Sequence, residues 1–385
     1  MKVLHVAPSI AQSYGGPTSS LAGYVVASRL AGIDVTVTAP RCAPEDIDAF
    51  VSRAGKTEMH LFRSAGGGAF ATSPALVRWV NSVAESFDVV HVHGLFNSIS
   101  SLSARVAGDG AAVVLRPFGT LSKYTFRHRR TALKRAYFAL IEKKNLRAAS
   151  ALHFTSDAER SEADWHGVDF TGRAYVIPPP SLAEKPREVN SDNNHDGTSV
   201  LFLGRIDPIK NLESLLDAWL LVRRGNPGVI LELVGDGDPD YVATLQRRAN
   251  MNGVGSSVAF RGFASAEKKE KLWRSAAVLV LPSHHENFGV VVLEALEAGV
   301  PVVVSPDVHL ADFVKTEGVG KVAVANPPIL ADAILSVLAD DDMRNRARNF
   351  GPSIVERNFS PLAIGKLLSE MYGAAVARKR AFAST

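Results

Sequence analysis

Short runs of β-branched and apolar residues alternate along this chain with longer stretches of helical spacing, the pattern of parallel βα units with helices on both faces of a sheet. In the first half the strand candidates are Lys2 to Ala7, Asp34 to Thr38, Met59 to Arg63, Asp88 to His93, Ala112 to Arg116, Ala151 to Thr155 and Ala174 to Ile177. In the second half they are Val200 to Gly204, Val229 to Val234, Val258 to Arg261, Ala277 to Leu281, Val300 to Val304 and Lys321 to Val324. This predicts an α/β protein of two doubly wound sheets. Between them, Pro178-Pro-Pro-Ser and the stretch to Thr198 are rich in Pro, Asn, Asp and Glu and poor in apolar residues, the composition of an exposed connector. The expected division is a first domain over 1–183, a linker over 184–198 and a second domain over 199–359. Beyond Ser360-Pro361, Leu362, Ile364, Leu367, Leu368 and Met371 keep helical spacing with Ser360 as the cap. Residues 360–385 are therefore expected to form a helix to about Val376, with a frayed tail after Arg378.

The chemistry gathers where candidate strands end. Glu286 and Glu294 stand eight residues apart in Ser283-His-His-Glu-Asn-Phe-Gly-Val-Val-Val-Leu-Glu-Ala-Leu, directly after an apolar run. A loop acid followed by a helix acid at the carboxyl end of a buried strand is where open α/β sheets hold ligands. Paired carboxylates bind sugar hydroxyls more strongly than neutral groups do. Upstream, Ser199-Val-Leu-Phe-Leu-Gly-Arg-Ile-Asp-Pro-Ile-Lys-Asn-Leu reads as a strand, a Gly-Arg turn and a lysine that opens a helix. Arg205 and Lys210 then lie near unpaired backbone donors, where an anion such as a diphosphate is best held. Two cations for phosphates and two acids for hydroxyls match the polarity of a nucleotide sugar.

Composition narrows the picture without changing it. At about 100 to 200 residues per domain, a chain of 385 residues suggests two. Lys and Arg number 43 against 39 Asp and Glu, a net charge of only +4, too slight to argue for nucleic acid. The single cysteine, Cys42, forbids an intrachain disulfide and fits a reducing compartment. No apolar run approaches the roughly 18 to 20 residues that span a bilayer, and the amino end lacks the apolar core of a signal peptide. The expectation is a cytoplasmic protein with no transmembrane segment.

Gly204-Arg205 with Lys210, the run from Glu286 to Glu294 and Gly299-Val-Pro-Val-Val together resemble the family 4 retaining glycosyltransferases, glycosyl transferases group 1, of the GT-B fold. The resemblance extends to Met1-Lys-Val-Leu-His-Val-Ala-Pro-Ser before Gly15-Gly16-Pro17 and to Val89-Val-His-Val-His-Gly94. It covers nearly the whole chain, with four separated motifs in the family's order. It implies two Rossmann-like domains flanking an inter-domain cleft, with the last helix crossing back onto the first domain. It implies transfer of a sugar, with retention, from a nucleoside-diphosphate sugar on the second domain to a saccharide or lipid-linked saccharide on the first. The product would be a cell-surface polysaccharide.

By the same resemblance Arg205 and Lys210 hold the diphosphate, Glu294 the ribose, and Glu286 the transferred sugar with the backbone at Asn287, Phe288 and Gly289. His93 faces that sugar, and no cofactor, metal or fixed protein nucleophile is implied. Val290-Val-Val-Leu favours a strand by propensity, yet the resemblance and the following Ala295-Leu-Glu-Ala support a helix carrying Glu294.

Several motifs keep two readings. Gly15 and Gly16 either let the backbone approach a phosphate or sugar or form a plain tight turn. His91 and His93 share a strand face, but no Cys or acid accompanies them at ligand spacing, and His91 reads as structural. Asn211 and the Val234-Gly-Asp-Gly237 turn are expected to shape the base and ribose pocket. Relatives carry a Ser-Pro-His-Gly type sequence where this chain has Arg116-Pro-Phe-Gly-Thr120, so Phe118 replaces the histidine while Arg116 and Thr120 remain acceptor-side candidates. Residues Arg127 to Arg147 hold eight Lys and Arg against one Glu, interleaved with apolar positions. They form either a solvated helix or a basic surface touching anionic lipid on the inner face of the cell membrane. Two rival functions use the same motifs: a sugar-nucleotide epimerase of similar fold, and a noncatalytic nucleotide-sugar-binding partner.

Overall fold

Every strand candidate forms a strand in the computed structural model, which describes residues 1–66, 71–128, 131–182 and 199–383, with ends displaced by one or two residues. The chain divides into two units, Met1–Leu182 with Phe359–Thr385, and Ala183–Asn358. The expected linker over 184–198 lies outside the described residues.

The first unit holds a parallel sheet of seven strands: β1 (Lys2–Val6), β2 (Asp34–Pro40), β3 (Glu58–Phe62), β4 (Val89–His93), β5 (Ala112–Arg116), β6 (Ala151–Phe154) and β7 (Ala174–Val176). Their spatial order is β3-β2-β1-β4-β5-β6-β7, so the winding reverses between β1 and β4. Successive side chains point to opposite faces, and each face of this sheet is buried. Val3, Val35, Val37, Val89 and Val114 pack under the first and last helices, and Leu4, Val6, Val90, Val92 and Leu115 under the opposite layer.

The second unit holds β8 (Ser199–Leu203), β9 (Ile230–Val234), β10 (Val258–Gly262), β11 (Ala276–Leu281), β12 (Val302–Val304) and β13 (Gly320–Val322). Their order is β10-β9-β8-β11-β12-β13, all parallel, and here the winding reverses between β8 and β11. In open α/β sheets ligands bind outside the carboxyl ends of strands at such a reversal. Those are the strands that lead into Arg205 and Glu286. Val290-Val-Val-Leu opens a helix, Val290–Glu297, with Val292, Leu293, Ala295 and Leu296 buried, so burial on the sheet overrides the β-branched preference.

The last helix, Pro361–Ala383, packs on the first helix, Gly16–Leu30. The approach is close enough that a Cβ on Gly365 would sit 2.2 Å from the Ala27 carbonyl oxygen. The frayed tail expected after Arg378 is corrected: the helix continues to Ala383. Arg378 donates to the Gly172 carbonyl at 2.6 Å, and the Lys379 ammonium donates to the Gly108 carbonyl. Two cations near the helix end thus hold that turn to the first unit instead of leaving it to fray.

Candidate functional site

In the second unit the loops after β9, β8, β11 and β12 are laced together by main-chain bonds. Ile206 N–H donates to Asp236 O at 2.8 Å, His284 N–H to Ile209 O at 2.8 Å, and Glu286 N–H to Asp307 O at 3.0 Å. Asn211, buried with φ of 53°, donates from Nδ2 to Pro282 O at 3.3 Å. Loops tied in this way hold their side chains on a fixed frame instead of on independent tethers.

Two of the four charged candidates are in direct contact. The Lys210 ammonium donates to Glu286 Oε2, with the two side chains 15% and 20% exposed. Lys210 does not open a helix as the sequence suggests: it ends a 3-10 turn, Pro208–Lys210, and the helix begins at Leu212. Pro208 and the Asp207 side chain, which accepts from Ile209 N–H at 3.1 Å, set that extra turn. Arg205 is exposed and pairs with Asp207 at 3.6 Å. Glu294 lies in the helix after the Glu286 loop and accepts from Lys269 Nζ at 3.0 Å. The intervening Phe288 is buried, and Gly289, with φ of 88°, stands at the start of that helix. Asn287 is half-buried. Lys269 was not singled out from the sequence, because a helix-face lysine is identified as a partner only once the helix is docked.

The glycines of Val234-Gly-Asp-Gly237 have a specific reason to be there. Gly235 has φ of 138°, and a Cβ on it would sit 1.9 Å from the Gly204 carbonyl oxygen; one on Gly237 would sit 2.3 Å from the Ile206 carbonyl oxygen. These two glycines let the β9 loop pack against the backbone that carries Arg205. Gly235→Ala is expected to lower stability by at least about 1–2 kcal/mol and, by displacing Arg205, to weaken binding of any anion held there. Denaturant midpoints and calorimetry on the same variant check both.

In the first unit, Gly15, with φ of 72°, precedes the first helix and Gly16 opens it; both are exposed. Thr120 Oγ1 donates to the Pro117 carbonyl at 2.6 Å, so its hydroxyl hydrogen is used within its own loop. Arg116 is buried at the end of β5, its guanidinium carbon 4.6 Å from the Tyr24 ring centre and 4.2 Å from that of Phe118. Phe118 has φ of 60°, a left-handed conformation that costs a non-glycine residue about 1–3 kcal/mol.

His93 lies in a buried cluster. Its Nε2 is 2.9 Å from His5 Nδ1, and the two rings stack with centres 5.2 Å apart. The sequence pairs His93 with His91; the fold adds His5 and His153, contributed by β1 and β6. His5 is the register partner of His91 across β1 and β4. Aligning the two strand candidates on their apolar positions would have revealed that neighbour.

The hydrogen bonds fix the protons in half of this cluster. A carbonyl only accepts, so His153 Nε2 must donate to Ile177 O at 2.8 Å. Neutral His153 then accepts at Nδ1 from His91 Nε2 at 3.3 Å, and His91 Nδ1 accepts from the Tyr372 hydroxyl at 2.8 Å. Burial pushes the pKa of all four imidazoles down, the Arg116 charge pushes the same way, and His5 and His153 fall to about 3. The ligand atoms of His5, His91 and His93 lie within 4.8 Å of one another, a separation at which three imidazoles can hold an ion. The guanidinium that opposes a proton on these rings opposes a metal cation equally.

The basic stretch is not one continuous helix. Helices Lys123–His128, Thr131–Tyr137 and Lys143–Ala148 are interrupted by a π-turn at Phe138–Glu142. Phe138 and Leu146 face inward, while Leu133, Arg135, Leu140, Lys144 and Arg147 are exposed. The side chains of residues 127–131 lie outside the described set. Among the described residues no helix is long and apolar enough to cross a membrane.

Comparison with known proteins follows this division of the chain. Residues 185–353 match the family described as glycosyl transferases group 1, and residues 15–180 match a glycosyl transferase 4-like domain. An uncharacterized glycosyltransferase of Methanocaldococcus jannaschii is 35% identical over 180 residues, 46% of this chain and 45% of that protein. The chain thus spans less than half the length of that relative. A phosphatidyl-myo-inositol mannosyltransferase of Mycobacterium leprae is 28% identical over 365 residues, 93% of this chain and 92% of that protein. Anabaena HepE, solved in complex with UDP, superposes with a TM-score of 0.72 at 18% identity, covering 97% of this chain and 100% of that one. Two family matches over successive sheets, with the winding reversals and loop charges described above, lead to one conclusion: the chain belongs to the group 1 glycosyltransferases and has the GT-B fold.

Proposed function

We propose that this protein transfers a sugar from a nucleoside-diphosphate sugar to a saccharide or lipid-linked saccharide acceptor, with retention at the anomeric carbon and without a metal ion, in the synthesis of a cell-surface polysaccharide. The observation that carries the reading is the Lys210–Glu286 contact at the β8–β11 reversal, with Arg205 exposed on the adjoining turn. UDP in the HepE structure and the lipid acceptor in the name of the mycobacterial relative support donor and acceptor classes of this kind.

In this reading the donor, on binding, exchanges the partners of two ion pairs, Lys210–Glu286 and Lys269–Glu294. The diphosphate takes the place of Glu286 on Lys210, and the released carboxylate accepts from hydroxyls of the transferred sugar. Arg205 adds a second cation as negative charge develops on the departing diphosphate, the point at which preorganised donors lower a barrier. Glu294 exchanges Lys269 for the ribose hydroxyls. Oxygen of the leaving phosphate receives the acceptor's proton on the face from which it departs, which gives retention without a protein nucleophile. The exposed Leu133, Arg135, Leu140, Lys144 and Arg147 would rest on an anionic membrane surface and bring a lipid-linked acceptor near.

Product analysis with and without acceptor tests the reading. A transferase releases nucleoside diphosphate in step with a new glycoside. An epimerase converts the donor with no acceptor present, and a binding protein leaves the donor intact; either result would remove transfer from the account.

A further inference from the structure

The carboxyl ends of β1, β4 and β5 hold a knot of nitrogens to which the reading above gives no task. Arg116 is 1% exposed and, among the described residues, makes one side-chain hydrogen bond, from Nη2 to Ser20 Oγ at 3.2 Å. Its Nε and Nη1 are buried with no partner among the described residues. Removing a guanidinium from water is costly, and contact with the Tyr24 and Phe118 rings returns only part of that cost. The nearby acid does not make up the difference: Glu159 accepts instead from Gly119 N–H, Thr155 N–H and the Thr155 hydroxyl.

The neighbouring histidines add a donor. His93 is the register partner of Arg116 across β4 and β5, and it shares one hydrogen bond with His5. If His5 Nδ1 carries the shared proton, His93 keeps its own N–H at Nδ1. In the opposite case His5 keeps one at Nε2. Both outer atoms, His93 Nδ1 and His5 Nε2, are buried without a partner among the described residues. Whichever tautomer holds, one imidazole N–H and the N–H groups of two guanidinium nitrogens meet no acceptor among the described residues. Three donor nitrogens on two separate groups, beside a fixed positive charge, suit the several oxygens of a phosphate better than the flat pair of a carboxylate.

We propose that Arg116 and the spare N–H of the His5–His93 pair form a phosphate-binding site in the first unit, which takes a phosphate group carried by the sugar acceptor. The acceptor clause rests on the transferase reading; the phosphate site does not. Tyr24 is fully buried whereas Phe118 is half-buried, so the ligand approaches from the Phe118 side. Phe118, held at positive φ over the guanidinium, is the cover that moves aside.

The test titrates inorganic phosphate into the whole protein at constant ionic strength, in an Arg205→Ala/Lys210→Ala background that removes the two loop cations of the second unit. Phosphate is expected to raise the melting temperature of that variant, and adding Arg116→Gln is expected to weaken binding about tenfold or more, as loss of a charge-assisted bond implies. If the Gln variant does not fold, Arg116→Lys keeps the buried charge, loses the forked donors and is expected to bind more weakly than arginine. An equal response with and without Arg116, or no response in either, would overturn the site. Competition by glycerol phosphate identifies a soluble phosphate and competition by phosphatidylglycerol vesicles a lipid-borne one; competition by neither removes the acceptor clause. In the transfer assay Arg116→Gln in the otherwise unaltered protein should raise the acceptor KM and leave the donor KM unchanged. If no acceptor is glycosylated at all, the transferase reading fails while the phosphate titration still decides the site.

Discussion

Lys210→Ala is expected to lower donor turnover by about 10²–10³, the typical loss when one preorganised donor to a developing negative charge is removed. Arg205→Ala should fall in the same range with less effect on stability, because its side chain is exposed and its ion pair with Asp207 is long, at 3.6 Å. Lys210 needs a further control, since its removal also strands the Glu286 carboxylate. The double variant Lys210→Ala/Glu286→Gln removes both charges of the pair. Its denaturant midpoint should recover toward wild type while turnover stays low. Recovery of turnover together with stability would mean that Lys210 serves only to neutralise Glu286. Wild-type rates in both single variants would take the phosphate clamp out of the account.

The second large effect is acid lability of the first unit. His5, His91, His93 and His153 are buried, and burial first, then the Arg116 charge and one another, holds them neutral in the folded protein. Below the ordinary histidine pKa of about 6.5, the unfolded chain takes up protons that the folded chain refuses, so stability falls as pH falls. For His5 and His153 the window runs from about 6.5 down to about 3. Each such group removes about 2 kcal/mol between pH 7 and pH 5. Glu142 acts in the opposite sense, because burial raises its pKa and the folded form binds its proton first. That single group does not offset the imidazoles. Calorimetric melting of the first unit should therefore drop steeply from pH 7 to pH 5, and His153→Gln should make the drop shallower by one proton. A melting temperature unchanged over that interval would contradict the buried, neutral cluster.

Parallel strands betrayed themselves by short β-branched runs, and the charged loops by lying directly after two of those runs. Arg205, Lys210, Glu286 and Glu294 were legible as candidates because their placement relative to a strand end is a local property of the sequence. Position alone could not show that Lys210 pairs with Glu286, 76 residues away, or Glu294 with Lys269. Those contacts depend on β8 and β11 lying side by side and on a docked helix. His5 and His153 were missed for the same reason, each being one apolar-flanked histidine on its own strand until the sheet brings them beside His91. The tail after Arg378 was misread because composition says nothing of the carbonyls of Gly108 and Gly172 that hold its cations. The Phe118 substitution was visible in the sequence; its stacking on a buried guanidinium was not.

The most direct check of the central claim, that loop cations and acids of the second unit hold a nucleotide sugar, is calorimetric titration of UDP, GDP and ADP and their common sugars into the wild-type protein and the Arg205→Ala and Lys210→Ala variants. The account predicts that one nucleotide series binds and that each variant binds it about tenfold or more weakly. Binding of no nucleotide, or equal affinity in all three proteins, would contradict it.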